Sequence, residues 1–138
     1  MNVRSFFDTN ILVYTDDDSF PLKQKRALEL IEEHRRSKTA VVSLQVLQEY
    51  FSVAVGKLKL PAERARNKVE LASQLHLGVP DVADILAAID LHRLHSFSFW
   101  DALIIQMAQQ TGCKVIYSED LQHTRSLGGL KIVNPFTK

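Results

Sequence analysis

The chain carries a single cysteine, Cys113. It therefore has no internal disulfide, and its fold must rest on packed side chains. No apolar run is long enough to span a bilayer. The N-terminus lacks the basic-then-apolar pattern of a secretory signal. With the lone thiol, these absences point to a reducing, cytoplasmic setting and no membrane. An excess of positive charge is also missing: 17 basic residues stand against 16 acidic ones. That balance excludes nucleic-acid binding by bulk charge, so any such role must come from a local site. No repeat, low-complexity tract or linker divides the chain, and residues 1–138 read as one domain with a real core.

What is present is an alternation of short apolar runs and helical patterns. Residues 4–8 read as a buried strand that ends in Asp8-Thr9-Asn10, where a short helix starts and continues to about Thr15. Asp16-Asp17-Asp18-Ser19 is a polar turn. The segment from Leu22 to about Arg36 is rich in helix formers, with Ala27, Leu28 and Ile31 on one side. Thr39 to Ser43 reads as a strand. A helix follows from about Leu44 to Gly56, its buried stripe expected at Leu44, Leu47, Phe51, Ala54 and Val55. Pro61 opens the next helix, with Ala65, Val69 and Ala72 inward. After a break at Gly78-Val79-Pro80, Asp81 caps a helix whose apolar face is Val82, Ile85, Leu86 and Ile89. No strand is expected between these two helices. Ser98-Phe99-Trp100-Asp101 leads into a helix that is apolar nearly all round, which implies burial on several sides. Lys114 to Ser118 and Lys131 to Val133 read as further strands. Strands separated by helices imply a mainly parallel sheet covered on both faces.

Four acids stand where such a sheet gathers chemistry, at strand ends and helix starts. Asp8 and Asp120 follow apolar strands, Glu49 lies on the helix after a strand, and Asp101 lies in the first turn of the most buried helix. Two carboxylates about 4 Å apart repel by roughly 4 kcal/mol at an effective dielectric near 20. A cluster of them forces protonation or recruits cations. Hard oxygen donors without His or Cys suit Mg²⁺ or Mn²⁺, and such ions serve phosphodiester hydrolysis. Each acid also has a plainer role open to it. Asp8 suits a helix cap, and Glu49 shares a polar strip with Gln45, Gln48 and Ser52. Asp101 completes a Ser98-x-x-Asp101 capping pattern, and Asp120 suits a turn.

The stretches around these acids resemble the PIN domain family. Phe6-Phe7-Asp8-Thr9-Asn10-Ile11-Leu12-Val13-Tyr14 is similar to its opening motif. Ser98-Phe99-Trp100-Asp101-Ala102-Leu103-Ile104-Ile105 is similar to its third acidic motif, and Tyr117-Ser118-Glu119-Asp120-Leu121 to its fourth. Gly128 to Phe136 looks like the usual ending. Within the family the likeness is to VapC-type toxins of prokaryotic toxin–antitoxin pairs. The resemblance implies a three-layer α/β/α PIN fold and a Mg²⁺- or Mn²⁺-dependent endoribonuclease. It implies Asp8, Glu49, Asp101 and Asp120 as catalytic metal ligands, with Asn10 and Ser118 supporting them. Glu119 is an alternative carboxylate to Asp120. A homodimer and a cognate antitoxin that reaches into the cleft are implied as well.

Other residues carry weaker signals. His123 and Arg125 suit a phosphate contact or a surface loop. His92 and His95 lie three apart on a helix but lack a partner set for zinc. Lys57, Lys59, Arg64, Arg66 and Lys68 form either a basic strip for RNA or an acidic partner, or a solvated face. Leu71 and Leu75 suit a dimer contact or the core. Two other functions remain open. One is a phosphoacceptor receiver domain, which normally needs a lysine at the end of a late strand, whereas Lys114 begins its strand. The other is a PIN fold retained only for binding, against which the four acids argue.

Overall fold

The structure is a computed structural model that describes residues 3–121 and 126–137. The elements are β1 (Ser5–Phe7), α1 (Thr9–Tyr14), α2 (Pro21–Arg36), β2 (Ala40–Ser43), α3 (Leu44–Gly56), α4 (Ala62–Ala72), β3 (His76–Gly78), α5 (Val82–His95), α6 (Phe99–Gln110), β4 (Val115–Tyr117), β5 (Ser126–Leu127) and β6 (Leu130–Val133). One sheet runs in the order β3-β2-β1-β4-β6-β5. Pairing is parallel from β3 through β6, and only the two-residue β5 runs antiparallel, against β6. Helices cover both faces, giving the three-layer α/β/α arrangement.

β1 and β2 are three and four residues long and buried throughout, because the middle of a parallel sheet sandwiched by helices has no wet face to demand alternation. β1 sits at the centre, with Ser5 beside both Ala40 of β2 and Val115 of β4. The chain leaves β1 toward β2 on one side and reaches β4 on the other. The crevice between β1 and β4 is thus the switch point of the sheet, where open α/β folds place their sites.

α6 is the central helix. Ala102, Leu103, Ile104, Ile105, Met107 and Ala108 are all buried, as an all-round apolar pattern requires. It packs on β2, β3, β4 and most extensively on α5.

Four expectations from the sequence fail in instructive ways. A strand, β3, lies between α4 and α5. Gly78 reads as a break, yet a Cβ there would come within 3.0 Å of Met107 Cε and 3.2 Å of Thr111 Cγ2. The glycine is what lets α6 come down onto the edge of the sheet. On α3 the buried residues are Gln45, Val46, Leu47, Tyr50 and Ala54, while Leu44 and Phe51 are exposed. The face is turned because α3 packs against α1 and α4, and Tyr50 reaches inward to donate a 2.6 Å hydrogen bond to Asp16. α2 shows a smaller shift, burying Ala27 and Leu30 and exposing Leu28. On α5 the whole expected face is open: Val82 is 70% exposed and Leu86 57%. The helix is held instead through Ala88 and Asp84, whose carboxylate completes a capping box with Asp81 and accepts from Gln106 at 3.2 Å.

Candidate active site

Because β1, β2 and β4 run parallel, the segments that follow them emerge on the same edge. Asp8 leaves β1, α3 begins directly after β2, and Ser118-Glu119-Asp120 leaves β4. The start of α6 reaches the same place. Asp8, Glu49, Asp101 and Asp120 all line one cavity of about 640 Å³. Asp101 and Asp120 also border a second recess against the turn before α6.

Asp8 forms the floor. Its Oδ1 accepts the Thr9 N–H at 2.8 Å, capping α1, and its Oδ2 accepts the Ser118 hydroxyl at 2.7 Å. The cap and the site are therefore the same side chain. Asp8 is 9% exposed, and burial raises its pKa from 3.8 to about 6. The hydrogen bonds from Ser118 and Thr9 oppose that rise, and the nearby charges of Glu49 and Asp101 add to it.

Ser118 is fully buried and gathers the loop around itself. Its hydroxyl oxygen accepts the N–H groups of Asp120 and Leu121 at 3.2 and 3.1 Å. Asn10 bridges the first and last acidic segments. Its amide nitrogen donates to Asp120 Oδ2 at 3.0 Å, and its oxygen accepts the Glu119 N–H at 3.2 Å.

The other three acids are exposed at the rim. Glu49 accepts from the Thr9 hydroxyl at 2.9 Å and more weakly from Gln45 at 3.5 Å. Ser98 caps α6 by accepting the Asp101 N–H at 3.1 Å. The capping role falls to Ser98, and among the described residues no hydrogen bond engages the Asp101 carboxylate. It faces the cavity unencumbered.

Several residues of the site carry no signal that singles them out in the sequence. Gln45 looks like one member of an exposed polar strip, but it is buried and joins α3 to α6 by donating to the Trp100 carbonyl at 3.2 Å. Among the described residues its Oε1 is buried without a partner. The clue available was its position one turn before Glu49, which puts both on one helix face. Asp17, in the polar turn, is buried and lines the cavity, as do Tyr14 and Phe20.

The donor set is all oxygen, and the negative charge is concentrated around a buried carboxylate. Both fit a hard divalent cation. Among the described residues, no three His, Cys, Asp or Glu side chains close into a ready ligand cage. Mg²⁺ does not require one, since it retains several waters and takes one or two carboxylates directly.

The remaining candidates resolve differently. His92 Nδ1 lies 2.5 Å from the Phe97 carbonyl, so its ring serves the turn after α5. Cys113 is buried in the core. Of the basic strip, Arg64 and Lys68 pair with Asp16 at 3.7 and 3.4 Å, and Arg66 pairs with Glu70 at 3.7 Å. Lys57 lines the cavity. Lys114 precedes β4, at the edge opposite Asp8, which removes the lysine a receiver domain would need. His123 and Arg125 lie outside the described residues.

Four acid-bearing segments meeting at a β1/β4 switch point match a known family pattern. The sequence profile of the PIN domain matches residues 5–126. The chain belongs to the PIN domain family. Two solved structures are similar to it over nearly their whole length. One is VapC20 of Mycobacterium tuberculosis, described as a sarcin-ricin loop cleaving toxin. It is 18% identical, with 86% of this chain and 91% of that one covered and a TM-score of 0.67. The other is a toxin–antitoxin complex from Klebsiella pneumoniae. It is 19% identical, with 96% and 98% covered and a TM-score of 0.68. At these identities the likeness concerns the fold. No curated protein matches the chain.

Proposed function

We propose that this PIN domain is a Mg²⁺- or Mn²⁺-dependent endoribonuclease, the toxin of a VapC-type toxin–antitoxin pair, acting in the cytoplasm. The observation that carries the reading is the meeting of Asp8, Glu49, Asp101 and Asp120, from four separate segments, around one cavity. The descriptions of the two similar structures point the same way.

Asp8 and Asp101 are the ligands we assign first: one is fixed by two hydrogen bonds and the other is unengaged. Glu49 and Asp120 complete the set, and Ser118 and Asn10 orient Asp8 and Asp120. A bound divalent ion makes the attacking water more acidic and offsets charge on the leaving oxygen. The chain's own part is to hold the four carboxylates around one cavity and to admit the RNA backbone past Lys57 on the rim.

Two features support the partners. The apolar face of α5, with Val82, Ile85, Leu86 and Ile89 exposed, suits a second copy of the chain in a homodimer. A larger cavity of about 690 Å³ lies away from the acids, between α2 and α4, where Ile31, Leu71 and Leu75 are flanked by Arg35, Lys38 and Lys68. It is mainly apolar with a basic rim, and its one acid, Glu32, is paired with Arg35. It suits an amphipathic, acidic segment of an antitoxin.

The test is RNA cleavage by purified protein, freed of any antitoxin, with and without Mn²⁺. Cleavage that requires the ion and is lost in Asp101→Asn is the expected result. A folded, partner-free wild type that cleaves no RNA with Mn²⁺ refutes the proposal.

A further inference from the structure

The Glu119 carboxylate does not share the orientation of its neighbour Asp120. It is bound on both oxygens by residues of α1 and α2. Tyr14 donates to Oε1 at 2.5 Å, and Lys23 donates to Oε2 at 2.6 Å. Lys23 also reaches the Tyr14 hydroxyl at 3.3 Å, closing a three-membered network between α1, α2 and the loop after β4. The ammonium lies 5.1, 5.4 and 5.7 Å from the ring centroids of Tyr14, Phe20 and Phe136, within cation–π range of each. Tyr14 meets Phe20 and Phe136 edge to face, so the three rings form a box around the lysine. The C-terminal turn takes part by supplying Phe136.

The network is asymmetric in a useful way. One residue on, Asp120 is held by Asn10 from α1, while the Glu119 N–H is held by the same Asn10. The loop is therefore pinned at its backbone by Asn10 and at the Glu119 side chain by Lys23 and Tyr14. A free Glu119 would be a competing carboxylate beside Asp120. As it stands, its negative charge is already matched by Lys23.

We infer that Lys23 and Tyr14 are positioning residues: by gripping the Glu119 carboxylate they hold the loop that presents Asp120 and keep Glu119 out of the ligand set. The part of this concerning ion binding rests on the metal-dependent reading above; the part concerning the loop does not.

The experiment compares wild type, Lys23→Met, Glu119→Gln and the double variant. Methionine keeps an apolar chain among the three rings while removing the charge. Amide hydrogen exchange in metal-free protein reads the loop, and Mn²⁺ titration by calorimetry reads the site. In Lys23→Met, exchange at the Glu119 amide should speed up at least about tenfold with strand amides unchanged. Mn²⁺ affinity should fall about 10- to 100-fold, the usual cost of losing an outer support. The double variant should bind Mn²⁺ no worse than Lys23→Met, because Lys23 acts through Glu119. Unchanged exchange and affinity in Lys23→Met, or losses that multiply in the double variant, overturn the inference. Wild type that binds no Mn²⁺ refutes the metal reading instead, and the exchange result still decides whether Lys23 and Tyr14 hold the loop.

Discussion

Asp8 and Asp101 face the same cavity from opposite circumstances. Asp8 caps a helix that follows an apolar strand, and Asp101 lies in the first turn of another. Asp8 lies on the floor, buried, with both oxygens hydrogen-bonded and its pKa raised to about 6. Asp101 lies on the rim, exposed, its helix capped by Ser98. The difference is where the stress of the site is stored. The buried acid carries the cost of desolvation and of its neighbours' charge, and the exposed one keeps its contact with water. A site that stores unfavourable charge in the empty protein recovers it when a cation arrives.

That contrast can be broken experimentally. The largest expected effect is on catalysis, where the two acids should behave alike. Asp8→Asn and Asp101→Asn should each reduce metal-dependent RNA cleavage by more than about 100-fold, beyond the usual effect of an outer support. A cleavage assay on folded variants checks this, and retention of activity in either would remove that acid from the site.

Stability should separate them. Asp8→Asn removes a buried group that resists ionisation, and a rise from 3.8 to about 6 corresponds to up to about 3 kcal/mol at neutral pH. The metal-free Asp8→Asn protein should therefore be more stable than wild type at pH 7. Asp101→Asn should change stability by no more than about 0.5 kcal/mol, as exposed substitutions do. Denaturant melts in chelator compare them directly.

The same shift gives a pH dependence with a definite sign. The folded-state pKa of Asp8 is raised, so its favourable contribution is complete below pH 3.8 and disappears as pH rises through about 6. Over that window the wild type should lose stability relative to Asp8→Asn, and the difference between the two melts should be flat above it. A constant difference from pH 3 to 8 would mean that Asp8 is not stressed in the fold.

The smallest effect is expected on α5, which is apolar like α6 but differently covered. Ile105→Ala in α6 should cost about 2–5 kcal/mol, as a buried truncation does. Leu86→Ala on α5 should cost the monomer under about 0.5 kcal/mol and should instead weaken self-association, read by sedimentation. A core-sized loss in the monomer would mean the α5 face is packed within the chain.

These comparisons also mark what the sequence makes legible. Asp8 is conspicuous because the buried strand before it stops abruptly in polar residues. α6 is conspicuous because only a central helix can be apolar on all sides. The bounds of α3 follow from Ser43 and Gly56. Its rotation does not, because Leu44 and Phe51 are as apolar as Val46 and Tyr50, and neighbouring helices decide which are covered. β3 is hidden because three residues of an edge strand carry no period, and Gly78 is needed for close packing there. Gln45 and Lys23 are hidden because their partners, Trp100 and Glu119, are distant in sequence. The exposed α5 face has the period of a buried helix, which the chain alone does not satisfy.

The central claim is that these acids form one cation site around Asp8. It is tested most directly by calorimetric titration of Mn²⁺ into folded wild type, Asp8→Asn and Asp101→Asn at pH 7.5, where Asp8 is ionised. The account predicts saturable binding by wild type and at least about a 100-fold weaker response in both variants. Wild type that binds no Mn²⁺, or an Asp8→Asn protein that binds it as tightly as wild type, would contradict it.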